Sequence, residues 1–224
     1  MRDDLGPFWL SLRVASLATV LIAAMGIPMA LLLARCRFPA KGLVAGLLLL
    51  PLVLPPTVLG YALLHLLGRQ SWLGHWLEST WGFSIVFHWS GAVVASAVAS
   101  FPMFLLPARG AIEAVDPAME DVARLLGRGE WSVFFSVTLP LAWRGVVAGT
   151  VLAFARALGD FGATMMVAGN IPGLTQTASL AIYDAVATDD SARAARLSIL
   201  VAIASILALL ISQRLASLPT GVRP

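Results

Sequence analysis

The chain has 224 residues, of which 59% are hydrophobic and only 12% charged, far from the roughly one-quarter charge of a water-soluble domain. Its mean hydropathy of +0.88 marks an integral membrane protein and leaves little length for a soluble domain. The net charge of +3 does not point to nucleic acid, because the basic residues stand singly at the ends of apolar runs rather than along one stripe.

Five apolar segments follow in chain order, spanning residues 14–34, 43–67, 86–106, 145–168 and 195–211. Each is about 20 residues, long enough to cross about 30 Å of hydrocarbon, and because backbone amides cannot be left unpaired in lipid each is expected to be a helix. The first run is too long, and too poor in a small-residue cleavage site, to be a removable signal peptide. Cys36, the only cysteine, follows Arg35 and has no partner for an internal disulfide. The second run, "LPLVLPPTVLGYALLHLL", contains Pro51, Pro55 and Pro56, and such a span is expected to be broken or tightly bent. The whole reads as one all-α membrane domain over residues 1–224, with five spanning helices, or six if a further short element crosses.

Basic residues orient this frame. Arg35, Arg37, Lys41, Arg109, Arg124, Arg128, Arg144, Arg214 and Arg223 fall on one side; Arg2, Arg13, Arg69, Arg193 and Arg196 fall on the other, among Asp3, Asp4, Glu78, Asp184, Asp189 and Asp190. The positive-inside rule then places the N-terminus outside and the C-terminus in the cytoplasm. Trp9, Trp72, Trp76, Trp81 and Trp89 gather on the outer side, as interfacial indoles do, while Trp131 and Trp143 bracket the inner end of the fourth helix.

Residues 108–140 form a polar island in this chain. Of the 15 Lys/Arg and 12 Asp/Glu residues, eight lie between Arg109 and Glu130. Asp116 is placed as an N-cap, Pro117 at the first helical position, Glu120 and Asp121 near the positive end of the dipole, and Gly127 as a stop. Ala118, Met119, Val122, Leu125 and Leu126 share one arc, opposite Glu120, Asp121, Arg124 and Arg128. So short a helix is marginal alone and must lie against something, either the membrane surface or a groove on a partner protein.

The island resembles the cytoplasmic "EAA" loop of ABC importer permeases, whose pattern is Glu-Ala-Ala, three residues, Gly, nine residues, Ile, any residue, Leu-Pro. Asp121, Val122 and Ala123 stand at the opening, Gly127 follows after three residues, and Val137, Leu139 and Pro140 follow after nine. Asp121 and Val122 depart from the family's Glu and Ala. The segments "LPLVLPPTVLGY", "FARALGDFGATMMVAGNIPG" and "TQTASLAIYDA" resemble those of molybdate permeases within that family, with tungstate and sulfate or thiosulfate permeases similar there; Asp160 stands where most relatives are expected to carry Glu.

The resemblance implies the type I importer fold with a short cytoplasmic coupling helix, a homodimer in the bacterial inner membrane, two cytoplasmic ATPase subunits and an external oxyanion-binding protein. The only lysine, Lys41, is not set in a phosphate-binding loop, so ATP is expected to be handled on a partner and no cofactor is expected here. Glu120, Asp121, Val122, Ala123, Leu126, Gly127, Leu139 and Pro140 become the expected ATPase-coupling residues. Leu139 and Pro140 are expected to start a rigid fourth helix.

Within the fourth segment Arg156 and Asp160 lie at i, i+4. They read either as a mutual ion pair or with Arg156 offering donors to a passing oxyanion. Gly159, Gly162 and Gly169 suggest close helix packing. Thr164 and Asn170 are either satisfied locally or donors to the anion, and "NIPG" is a turn signal. With the family match, Pro55, Pro56, Thr57, Arg156, Asp160, Thr164 and Asn170 form the expected translocation path. His65, His75 and His88 lack metal-ligand spacing and read as interfacial side chains. An intramembrane enzyme, or an ATP-independent channel or secondary carrier, is the alternative from another class; neither accounts for the spaced loop.

Overall fold

The computed structural model describes residues 2–82 and 84–217, and every regular element among them is helical. The order is α1 (Arg2–Arg35), α2 (Lys41–Val53), α3 (Pro56–Leu67), α4 (Trp72–Trp81), α5 (Trp89–Glu113), α6 (Pro117–Leu125), α7 (Glu130–Val133), a π turn (Phe134–Thr138), α8 (Leu139–Leu158), α9 (Gly162–Ala168), α10 (Ala178–Ala187) and α11 (Ser191–Ser217). Arg223 lies outside the described residues, as do the side chains of Arg2, Asp3 and Asp4.

Four helical stretches are long and apolar enough to cross a membrane: Leu5–Arg35, Trp89–Glu113, Glu130–Leu158 and Ser191–Ile211. Lys41–Val53 and Pro56–Leu67 make a fifth if counted as one span, bent by 118° at the break between them. The helices outrun the apolar runs at their ends, because hydropathy marks only the stretch suited to hydrocarbon and the backbone ladder continues beyond it.

Two of the five expected spans are interrupted, the first as its prolines led one to expect and the second not. The span over 43–67 breaks at Leu54 and Pro55, both extended (ψ 139° and 137°). The residue before a proline is pushed out of the α region, so each of the consecutive prolines Pro55 and Pro56 forces its predecessor to extend. The span over 145–168 starts earlier, its helix running on from Glu130, and breaks at 159–161, where Phe161 takes φ −126° and ψ −58°. No proline explains this second break; its polar groups are met by Asp160, as described below.

The centre of the molecule is α5, packed between α1 and α8 through small buried residues: Ala92 and Ala108 of α5, Ala15 and Ala30 of α1, Ala142 and Ala153 of α8. Small side chains let backbones approach closely, which is what drives helix association when lipid offers no hydrophobic contrast. At Gly149 a Cβ would stand 2.7 Å from the Phe104 carbonyl oxygen. The outer faces of α2 and α11 are apolar and exposed, with Leu43, Leu47, Ile199, Ile203 and Ile206.

Several short elements lie outside the expected helices, α4 and α10 among them. Ser71 caps α4, its Oγ accepting from Gly74 N at 2.8 Å. The 10-residue α10, about 15 Å long, is too short to cross the hydrocarbon and so supplies no sixth span; it packs on α11 and α1.

Candidate functional site

Two regions gather the residues singled out in the sequence. The first is the loop that carries α6. Asp116 Oδ1 accepts from Ala118 N at 2.9 Å and Pro117 opens the helix. Gly127 closes it with φ +82°; Arg128 N donates to Ala123 O at 3.2 Å and Gly127 N to Arg124 O at 2.9 Å. This pair of reversed bonds is a Schellman closure and requires the left-handed conformation that glycine adopts without strain.

The facing of α6 is the informative result. Met119, Val122, Leu125 and Leu126 are all more than half exposed, while Glu120 and Ala123 are buried. The apolar arc therefore faces away from the protein and the helix rests on its Glu120 side. Trp131 and Phe135 extend this exposed apolar surface, their rings stacked at 6.4 Å. Asp121 is exposed and pairs with Arg124 Nη1 at 2.7 Å; Arg124 Nε and Nη2 also donate to Glu130 at 2.8 and 3.2 Å. Hydrogen bonds to Glu130 and then Asp121 hold the Arg124 guanidinium further above its ordinary value.

Glu120 Oε1 accepts from Arg35 Nη2 at 2.8 Å and from Thr138 Oγ1 at 2.7 Å. Thr138 ends the π turn, and the Leu139 N–H reaches back five residues to Phe134 O. A widened turn here suits Pro140, whose ring would crowd the carbonyl four residues earlier in a regular helix. Leu139 and Pro140 thus continue a helix already running from Glu130, instead of starting one.

The second region is the pair of helix breaks. Gly162 sits against Pro56: a Cβ there would lie 2.7 Å from Pro56 Cβ and 3.5 Å from Thr57 N. The α2–α3 break and the α8–α9 break are therefore neighbours, joined by glycine. Asp160, 2% exposed, satisfies the interrupted ladder. Its Oδ2 accepts from Thr164 N at 3.0 Å and Thr164 Oγ1 at 2.6 Å, and its Oδ1 accepts from Arg156 Nη1 at 3.2 Å. Thr164 Oγ1 also meets Ser96 Oγ of α5 at 3.2 Å.

Pro55, Pro56 and Thr57 are exposed and Arg156 is part-exposed, whereas Asp160 and Thr164 are buried behind them. Asn170 lies in a turn in which Ile171 O accepts three amides and Thr175 Oγ1 bridges Ile171 N and Gly169 O. The structure therefore brings Pro56 and Thr57 to Gly162, with Asp160 and Thr164 alongside; it places Asn170 beyond α9. His65 and His88 line an open cleft of about 890 Å³ together with Arg69 and Ser71. Among the described residues no three His, Cys, Asp or Glu side chains are grouped as a metal site.

Sequence reading did not single out Thr138 or Ser96, and counted Arg35 only as a topology signal. The lone threonine in "FFSVTLP" was the available hint for Thr138.

Residues 26–218 match the family described as binding-protein-dependent transport system inner membrane component. The chain is 49% identical over 208 residues to the molybdenum transport system permease protein ModB of Escherichia coli, covering 92% of this chain and 91% of that protein. The ModB of Haemophilus influenzae is 44% identical with the same coverage. The sulfate transport system permease protein CysT of Escherichia coli is 34% identical, covering 89% and 72%. Among solved structures, an inward-facing MetNI methionine ABC transporter matches with a TM-score of 0.72 at 17% identity, covering 96% of this chain and 95% of that one. The fold is shared at that distance.

Proposed function

We propose a specific role for this chain, which belongs to the binding-protein-dependent transport system inner membrane component family: it is the permease of an ATP-driven molybdate importer. As a family member it is a multi-pass membrane transport subunit and not an enzyme. The molybdate assignment rests on the 49% and 44% identical relatives, both named for molybdenum transport. Tungstate, sulfate and thiosulfate are the next candidates, sulfate being favoured among them by the 34% identical sulfate permease.

The observation that carries the mechanism is the outward apolar face of α6. An apolar helix face turned away from its own protein is a docking surface for a complementary groove. In our reading the α6 end is cytoplasmic, Met119, Val122, Leu125 and Leu126 seat in a cytoplasmic ATPase subunit, and Asp121 and Arg124 rim the contact. Two copies of the chain, two ATPase subunits and an external oxyanion-binding protein complete the assembly, the N-terminus of the chain lying outside.

ATPase closure then moves α6, and the continuous helix from Glu130 to Leu158 carries the displacement to the break at 159–161. There Thr57 and Arg156 face the path, Arg156 supplying cationic donors to the anion while Asp160 and Thr164 hold the break from behind. Asn170 guards its outer end.

Two measurements test this. Val122→Asp or Leu126→Asp is expected to abolish co-purification of the ATPase subunit while the chain remains inserted; retention of the ATPase would defeat the docking assignment. Uptake of labelled molybdate and sulfate in cells lacking the chain tests the substrate, and unchanged molybdate uptake at trace concentration would overturn it.

A further inference from the structure

Glu120, 3% accessible, is buried with Ala123 on a helix whose other residues are exposed. Its hydrogen-bond partners lie 85 and 18 residues away, and Arg124 Nη2, four residues on, stands 3.6 Å from its other oxygen. Apart from this carboxylate, α6 packs mainly on α7 and the π turn. A nine-residue helix has little stability of its own, so its seating depends on what holds it. Here one oxygen, Glu120 Oε1, holds it to two different helices at once. It accepts from Arg35 in the last turn of α1 and from Thr138 at the foot of α8. Arg35 Nη2 also donates to Val115 O at 2.9 Å, just before α6 begins. The guanidinium therefore clasps both the start and the first turn of the helix.

We propose that Glu120 is the positioning residue that ties α6 to α1, so that displacement of α6 is delivered to α1 as well as to α8. The proposal rests on the reading of α6 as the ATPase contact. Glu120 faces inward, so it does not belong to that contact surface; it acts behind it. A buried ion pair is poor evidence of a gain in stability, since desolvation offsets most of the attraction, and a role in fixing geometry accounts better for its position. The surroundings leave room for motion about the tie: a cleft of about 230 Å³ lies beside it, lined by Arg35, Glu120, Arg124, Trp131 and Cys36. Cys36 is the only cysteine and is exposed, which makes it a native reporter on the end of α1.

The test uses the intact complex with its ATPase in proteoliposomes, supplied with molybdate and the external binding protein. Three quantities are read: molybdate moved per ATP hydrolysed, ATPase co-purification, and the rate of Cys36 alkylation by N-ethylmaleimide with and without vanadate-trapped nucleotide. In the unmodified complex trapping is expected to change the alkylation rate. Glu120→Ala is expected to keep the ATPase bound, to lower molybdate per ATP about tenfold, the scale of an ordinary coupling free energy, and to abolish the nucleotide response at Cys36. Glu120→Gln keeps an oxygen acceptor for Arg35 and Thr138 and is expected to restore most of both. A merely structural role would change melting temperature without changing the Cys36 response.

Should Glu120→Ala not fold, Thr138→Val, which removes one donor and keeps the ion pair, is read in the same way and is expected to give an intermediate loss. Wild-type molybdate per ATP and a wild-type Cys36 response in Glu120→Ala, or in Thr138→Val where that is the variant read, would overturn the proposal alone. Absence of the ATPase from the unmodified complex would overturn the functional reading and the proposal with it.

Discussion

Glu120 and Asp160 are two buried carboxylates with nearly the same partners and different consequences. Each accepts from an arginine, at 2.8 and 3.2 Å, and from a threonine hydroxyl, at 2.7 and 2.6 Å. Asp160 reaches only four residues in each direction, so its bonds repair a local gap between α8 and α9. Glu120 joins α1, α6 and the foot of α8, elements far apart in sequence. The chemistry of a buried acid is thus set by which backbone or side-chain donors need it, and its mechanical meaning by how far apart those donors lie.

The largest effect is expected at Asp160. Asp160→Ala strands the Thr164 amide and the Arg156 charge, the Thr164 hydroxyl keeping Ser96, and should cost about 3 kcal/mol, read as a drop in the melting temperature of purified protein. Asp160→Asn should cost clearly less, because an amide oxygen still accepts from Thr164; equal losses would show that capping is not what Asp160 does. Glu120→Ala comes second, at about 2 kcal/mol. A double-mutant cycle with Arg35→Ala should show coupling there, and the comparison fails if the Glu120 and Arg35 losses simply add.

Gly127→Ala is third. Nothing lies within 4 Å of the added Cβ, so the cost is that of the +82° φ alone, about 1 kcal/mol, seen as reduced thermal stability with only a secondary change in ATPase binding. The smallest effect is expected at Asp121→Asn, below about 0.5 kcal/mol in stability, since the pair with Arg124 is solvated and screened by salt. Arg124 is raised above its ordinary value, so its contribution is full below that value and is lost only as pH rises through the higher folded one. Between pH 6 and 9 the loop should therefore respond to ionic strength and not to pH, measured as ATPase retention on the permease.

The limits of α6 were legible because caps are local: Asp116, Pro117 and Gly127 act on their own neighbours. So was the first helix break, since consecutive prolines act on the residue before each of them. The second break was not, because "LGDFG" carries no breaker of that strength and the bend depends on Gly162 meeting Pro56 across the fold. The wheel of α6 separated two faces correctly but could not say which faced inward. A face with Glu120, Asp121 and Arg124 reads as solvated; only the distant Arg35 and Thr138 make Glu120 its buried member, while Asp121 and Arg124 stay exposed. The Arg156–Asp160 pair was legible from i, i+4 spacing, while the role of Asp160 as a cap for α9 was hidden by the apolar run that continued past it.

The exposed crest of Met119, Val122, Leu125, Leu126, Trp131 and Phe135 also bears on how the protein is made. On the proposed docking of α6 to an ATPase subunit, a chain synthesised ahead of that partner presents water with an adhesive patch that its own fold does nothing to cover. Its survival before assembly is then a matter of timing and stoichiometry, and surplus copies are the ones most exposed to aggregation and to degradation.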